Sequence, residues 1–215
     1  MKIPAEMIVD NWNQLLRVID DNFEGERKAR LICLYEKFAD RMMLAPASGI
    51  EHFHNSWAGG YVDHVLRVCK CAKQVYMLWK GMGSDCDGYT MEELIFVALN
   101  HDIGKMGFPG EGNETYIPND SEWHVKNRGD FYKKNSEDVF MTLTDRTMFT
   151  LQHYGITYSE AEYFGMKLTD GLYDEDNEKY LKVYDVNKRM RFKLPYIMHW
   201  ADHMSTVIES QDNTI

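Results

Sequence analysis

Four side chains carry the sharpest chemical signal in this chain: His64, the adjacent pair His101 and Asp102, and the distant Asp202. Two imidazoles and two carboxylates make a mixed nitrogen and oxygen donor set. Such a set suits Mn, Fe, Co, Ni, Zn or Mg, with further coordination positions left to water. Ions of this kind promote hydrolysis by lowering the pKa of a bound water and polarising a phosphoryl oxygen. To serve one point, the donors must come from several elements, because neighbours on a helix diverge by about 100°. His101 and Asp102 are neighbours, so they need a helix end, where that constraint relaxes; Gly104 marks one. Each residue alone also has an ordinary reading. The pair can cap a core helix, a lone histidine is more often a core or surface residue, and a lone aspartate is more often solvated. A buried His and Asp, however, cost several kcal/mol unless paired or bound to metal.

The elements that must position these residues are helices. Leu94 to Leu99 is apolar without a polar face, and a helix apolar on all sides is buried. Thr90-Met91-Glu92-Glu93 starts it, with Thr90 as cap and acids in the first turn. The His101-Asp102 pair therefore emerges at the inner end of a buried helix. His64 sits in the second turn of a helix from Tyr61 to Trp79, whose stripe is Val62, Val65, Leu66, Cys69, Ala72, Val75 and Leu78. Asp202 lies in a last helix, Tyr196 to Glu209, opened by Pro195 at the first helical position.

The remaining segments frame these three. Helices are expected at Ala5 to Phe23, Glu26 to Leu44, Ser136 to Tyr154 and Ser159 to Leu168, the last capped by Ser159. Ala45 to Gly60 is a loop rich in small residues, histidine and aromatics, with Gly59-Gly60 allowing a tight turn. Gly107 to Lys134 loses periodicity; a small hairpin is expected at Tyr116 to Ile117 and Trp123 to Val125. Lys179 to Asp185 and Arg191 to Leu194 read as a second small ribbon, and Ser210 to Ile215 as a frayed tail. The expectation is an all-α helical bundle with a small β-hairpin insertion. It forms a single domain over 1–215, its core at about 45–209, preceded by two helices.

Composition narrows the class without naming a function. A chain of 215 residues with net charge −10 argues against a broad nucleic-acid or membrane footprint, though a local basic site remains compatible. No basic, apolar leader stands at Met1-Lys2-Ile3-Pro4, and no apolar segment approaches the roughly 20 residues of a membrane span. Cys33, Cys69, Cys71 and Cys86 show no CxxC pair, so they read as reduced thiols of a cytoplasmic protein.

Order and context sharpen the donor set. Ala45-Pro46-Ala47-Ser48 followed by His54 and Gly59-Gly60-Tyr61-Val62-Asp63-His64, then Leu99-Asn100-His101-Asp102-Ile103-Gly104-Lys105, then Trp200-Ala201-Asp202-His203 form an ordered series. It resembles the HD superfamily of metal-dependent phosphohydrolases, in a single-domain bacterial and phage branch. The resemblance spans about Ala45 to Glu209. It implies an HD-domain bundle, a divalent metal held by His64, His101, Asp102 and Asp202, and Asp102 assisting proton transfer. Lys105 would lie beside the metal and hold a phosphate oxygen as a point charge.

Other residues complete this expectation. Arg67, one turn after His64, is a candidate for a second phosphate oxygen. His54 would line the pocket or orient substrate, and Trp57, with Phe53, would stack on a base. Relatives in this branch often carry two further histidines for a second metal. His153 resembles the first, whereas Lys167 stands where the second is expected. A cation is a poor metal ligand, so Lys167 becomes a phosphate-contact candidate and a complete two-metal site is in question. His124 is a spare candidate for substrate or metal, and His199 and His203 read as neighbours supporting Asp202.

The implied activity is hydrolysis of a nucleotide or deoxynucleotide phosphate in the cytoplasm of a bacterium or a phage-infected host. A phosphodiesterase acting on cyclic nucleotides or oligonucleotide 3′ ends is the first alternative. A non-catalytic nucleotide-binding module is the second. The partners expected are a small nucleotide and a second copy in a homo-oligomer, without a membrane or a broad nucleic-acid surface.

Overall fold

The computed structural model describes residues 3–50, 53–109 and 112–212. Among them the chain is all-α, with one two-stranded antiparallel ribbon. The helices are α1 (Ala5–Asn22), α2 (Gly25–Lys37), α3 (Ala39–Leu44), α4 (Gly60–Gly81), α5 (Met91–Asn100), α6 (Glu122–Arg128), α7 (Leu143–His153), α8 (Glu160–Lys167), α9 (Glu178–Leu181) and α10 (Leu194–Asp212). No helix is long and apolar enough to cross a membrane among these residues.

The centre of the bundle is α5. Leu94 to Asn100 are all buried, as the unbroken apolar run requires. Its start is a full capping box: the Thr90 hydroxyl accepts from the Glu93 backbone N–H, and the Glu93 carboxylate accepts from the Thr90 N–H at 2.7 Å. α4 and α10 pack on each other, α4 and α8 pack on α5, and α1 and α3 lie against α4. One apolar cluster runs from Trp12 and Leu15 of α1 through Val65 and Val68 of α4 to Ile197 and Ala201 of α10.

Several sequence expectations change. The second helix is two, because the chain breaks at Phe38, which sits outside helical geometry and buries its ring. Burial of that ring outweighs a continuous helix. The hairpin has the expected first strand, Tyr116–Pro118, but its partner is Tyr132–Lys134, with Tyr116 opposite Lys134 and Pro118 opposite Tyr132. Trp123 to Val125 instead form part of α6, capped by Ser121. The fifth helix begins at Leu143, with Thr142 as its cap, and not at Ser136. Buried Arg146 fixes the preceding segment through Asp138 at 2.9 Å and the Val139 carbonyl. The second ribbon is absent: Lys179 falls in α9, and Arg191 to Lys193 are not strand. α10 starts at Leu194 and runs through Ser210 to Asp212, so the first half of the expected frayed tail is helix; residues 213–215 lie outside the described residues.

Candidate metal centre

The helix end demanded by His101-Asp102 is built residue by residue. α5 stops at Asn100, and Asp102 already has φ −111° and ψ 8°. A short 3-10 turn, Ile103–Met106, follows. Carbonyls left open at such an end need partners. Tyr35 donates its hydroxyl to Leu99 O at 2.8 Å, His101 Nδ1 lies 2.9 Å from Ala98 O, and Thr147 of α7 donates to His101 O at 3.2 Å. Thr147 also accepts from the Gly104 N–H at 3.0 Å. α7 comes so close that a Cβ on Gly104 would lie 2.2 Å from Leu143 O. This is why a glycine stands two residues after Asp102: a side chain would push away the helix that pins the turn.

His64 arrives from α4. Its ring is 1% exposed, and Nδ1 lies 3.0 Å from a carboxylate oxygen of Glu209, itself fully buried. The other Glu209 oxygen is 3.1 Å from Nε of Arg67. Asp202 arrives from α10. Its Oδ1 is 3.1 Å from His64 Nε2 and 3.7 Å from His101 Nε2. Asp102 Oδ2 is 3.9 Å from His64 Nε2 and 3.6 Å from His101 Nε2. Three of the four expected ligands, His64, His101 and Asp202, thus bring their donor atoms together, and Asp102 Oδ2 lies beside them, paired with Lys105.

The imidazole geometry fits a metal. Each ring has Nδ1 occupied, by Glu209 or by Ala98 O, which fixes the tautomer that presents Nε2. Both Nε2 atoms are buried and line up with no hydrogen-bond partner. A buried polar atom without a partner is costly and calls for one. Donor atoms of His64, His101 and Asp202 all lie within 4.8 Å of one another, so the cluster could hold a metal ion. A second grouping, His54 with His64 and Glu209, meets the same distance test. There the Glu209 oxygens already face His64 and Arg67, so that grouping supports the first.

The same crowding sets the protonation of the metal-free cluster. Burial opposes a charge on His64, yet the adjacent Asp202 and Glu209 carboxylates prevail and carry its pKa up to about 10. His101 is also raised: burial opposes it, and Asp102 and Asp202 outweigh burial. The imidazoles in turn hold Asp202 well below the usual carboxylate range against its own desolvation. At neutral pH a metal must therefore expel protons to bind. Apparent affinity for Mn2+ or Zn2+ should rise about tenfold per pH unit for each proton displaced between about pH 7 and 9. Titration calorimetry in buffers of different ionisation enthalpy checks this; a flat profile means that the imidazoles are not ligands.

Around the centre opens a cavity of about 370 Å³. Lys105 lines it, donating to Ala47 O at 2.8 Å and forming an ion pair with Asp102. Thus the Ala45-Pro46-Ala47 loop serves to hold the lysine. His54 lines it too, with its ring centroid 4.7 Å from that of His64 and both nitrogens buried without a partner. Desolvation, then the neighbouring His64 and Lys105, lower the His54 pKa to about 3, so the ring is neutral. Gly59, at φ 90°, makes the turn into α4 that the glycine pair suggested.

No family model, curated protein or solved structure matches this chain.

Other candidates stand elsewhere. Arg67 turns to Glu209 and Asp63 and does not line the cavity. Trp57 and Phe53 are likewise outside its lining; Phe53 is exposed, and the Trp57 Nε1 is buried. His153 is exposed at the end of α7, against Phe108 and Tyr154 at 5.2 and 5.3 Å. His124 sits on α6, 2.7 Å from the Ser121 hydroxyl. Lys167 is half-buried and outside the lining. These residues lend no support to a second metal beside the first.

Sequence reasoning missed Glu209, Thr169, Asp170 and Tyr173. It kept His199 and His203 as supports, whereas both face the cavity. Glu209 had a legible signal: it stands seven residues, two helical turns, after Asp202, on the same face of α10.

Proposed function

We propose that this chain is a metal-dependent phosphohydrolase of the HD superfamily that cleaves a phosphate ester or anhydride of a nucleotide or deoxynucleotide. The observation that carries the reading is the pair of buried, tautomer-fixed imidazoles, His64 and His101, whose unpartnered Nε2 atoms converge with Asp102 and Asp202. The ordered resemblance of the three segments points the same way. Those four residues would hold Mn, Mg, Co, Fe, Ni or Zn, which supplies an activated water and polarises the phosphoryl group when bound.

The chain's own residues then have distinct tasks. An ammonium has three donors, and Lys105 spends two of them on Ala47 O and Asp102. The third is free for a phosphoryl oxygen, where charge builds during the reaction. Asp102 remains a carboxylate: burial raises its pKa, but Lys105 and the imidazoles bring it below the usual range. A lowered pKa makes it a weaker base, and ligation suits it better than proton transfer. Neutral His54 offers one N–H and one lone pair in a water-poor corner, suited to orienting substrate or water.

The test is a panel of ribonucleotides, deoxynucleotides, cyclic nucleotides and short oligonucleotides, incubated with the purified chain and Mn2+, Mg2+, Co2+ or Zn2+. Release of phosphate, pyrophosphate or triphosphate from a mononucleotide is expected. Silence across the whole panel with every metal would refute the reading. Lys105→Ala should keep its metal content and lose about 100-fold or more in turnover; unchanged turnover would remove Lys105 from the mechanism.

A further inference from the structure

One wall of the cavity has no task in metal binding. It is made by the turn after α8 and by the exposed side of α10: Tyr173, His199 and His203. The His199 and His203 rings lie one helical turn apart, nearly parallel at 16°, with centroids 6.1 Å apart. Tyr173 stacks on His203 at 5.8 Å and stands 6.3 Å from His199. The arrangement is built. His199 Nδ1 is 2.8 Å from Thr169 O, which fixes its ring, and Gly171 leaves room for that ring, since a Cβ there would lie 2.4 Å from it. Yet the outer member, Tyr173, is 78% exposed. A large aromatic backed by two ordered rings at a cavity mouth offers its open face for stacking.

Charge orients what would fill it. The cation of the cavity, Lys105, sits beside Asp102 and next to the metal ligands. Asp170 lies near Asp102, Asp202 and Lys105, between them and the ring wall, and its carboxyl can take hydroxyl or amino protons of a ligand that spans the two. A ligand matching both has an anionic phosphoryl end, polar hydrogens, and a flat ring. The volume of about 370 Å³ falls in the small-molecule range of roughly 300–1,000 Å³.

We infer that Tyr173, with His203 behind it, is the base-stacking subsite for the nucleoside part of the substrate, whose phosphoryl group lies at Lys105. This rests on the phosphohydrolase reading for the phosphoryl end and adds the residues that select a base-bearing substrate.

The test is direct binding of phosphonate analogues, which resist hydrolysis, to the full chain loaded with Mn2+. Analogues of adenosine, guanosine, cytidine and thymidine 5′-monophosphates are compared with the base-free ribose phosphonate. In the parent protein at least one base-bearing analogue should bind tighter by about tenfold or more, the scale of one base on one aromatic ring. Tyr173→Ala should bring that preference to within about twofold while base-free binding is kept. Tyr173→Phe, which keeps the ring, should retain the preference. Equal binding with and without a base in the parent protein, or a preference that survives Tyr173→Ala, overturns the inference. Base preference without phosphate release from any nucleotide would leave the subsite standing and refute hydrolysis. Hydrolysis that ignores the base would do the reverse.

Discussion

Asp202→Ala should strip the divalent ion from the protein without unfolding it. Asp202 Oδ1 is the carboxylate oxygen nearest His64 Nε2, at 3.1 Å, and it also faces His101 at 3.7 Å. Removing it leaves two imidazoles and Asp102, one of whose oxygens is committed to Lys105. Loss of an outer partner of a ligand lowers metal affinity about 10- to 100-fold, so loss of a ligand should exceed that. Elemental analysis after dialysis should find metal in the parent and none in the variant. The side chain is 20% exposed, so water can fill the space and far-UV circular dichroism should be unchanged. Metal retained in Asp202→Ala would mean that this cluster is not where the ion binds.

Glu209→Ala should act on both the metal and the fold. Glu209 is fully buried; one oxygen takes His64 Nδ1, and the other forms an ion pair with Arg67. Arg67 is about one-third exposed and has Asp63 nearby, so it can turn to water. His64 is enclosed and cannot, and its Nδ1–H loses its acceptor. Leaving a buried donor unsatisfied costs about 1–3 kcal/mol. For a chain of this size each kcal/mol lowers Tm by roughly 2–4 °C. The freed imidazole can also change tautomer or rotate, so metal affinity should fall about 10- to 100-fold. Glutamine is not a full rescue: it has one acceptor for two donors, and its NH2 must face one of them. Scanning calorimetry with and without Mn2+ separates the two effects. An unchanged Tm and unchanged affinity in Glu209→Ala would show that Glu209 does not orient His64.

The sequence was legible where one residue type had one physical outlet. An apolar run without a polar face has to be buried, so α5 and its capping box were readable from Thr90 to Leu99. Gly104 announced a helix end, and that end is what lets His101 and Asp102 aim at the same point. It failed where a distant contact decided local structure. Phe38 breaks a helix because its ring is taken into the core, and Tyr132–Lys134, not Trp123–Val125, closes the ribbon on Tyr116–Pro118. Arg67 illustrates the same limit at the site. Its spacing from His64 was right for a shared face, but a buried carboxylate 142 positions away, Glu209, claims its guanidinium.

By itself, then, the sequence determined the helical class and the inner end of α5, and it singled out the four side chains proposed as metal donors, because periodicity, capping and donor chemistry are local properties. Only the tertiary structure decided which partners those donors keep. Glu209 behind His64, Ala47 O behind Lys105, and Tyr173 against His203 are contacts between separate elements. Burial and packing across the whole chain bring them together, and no local pattern encodes that.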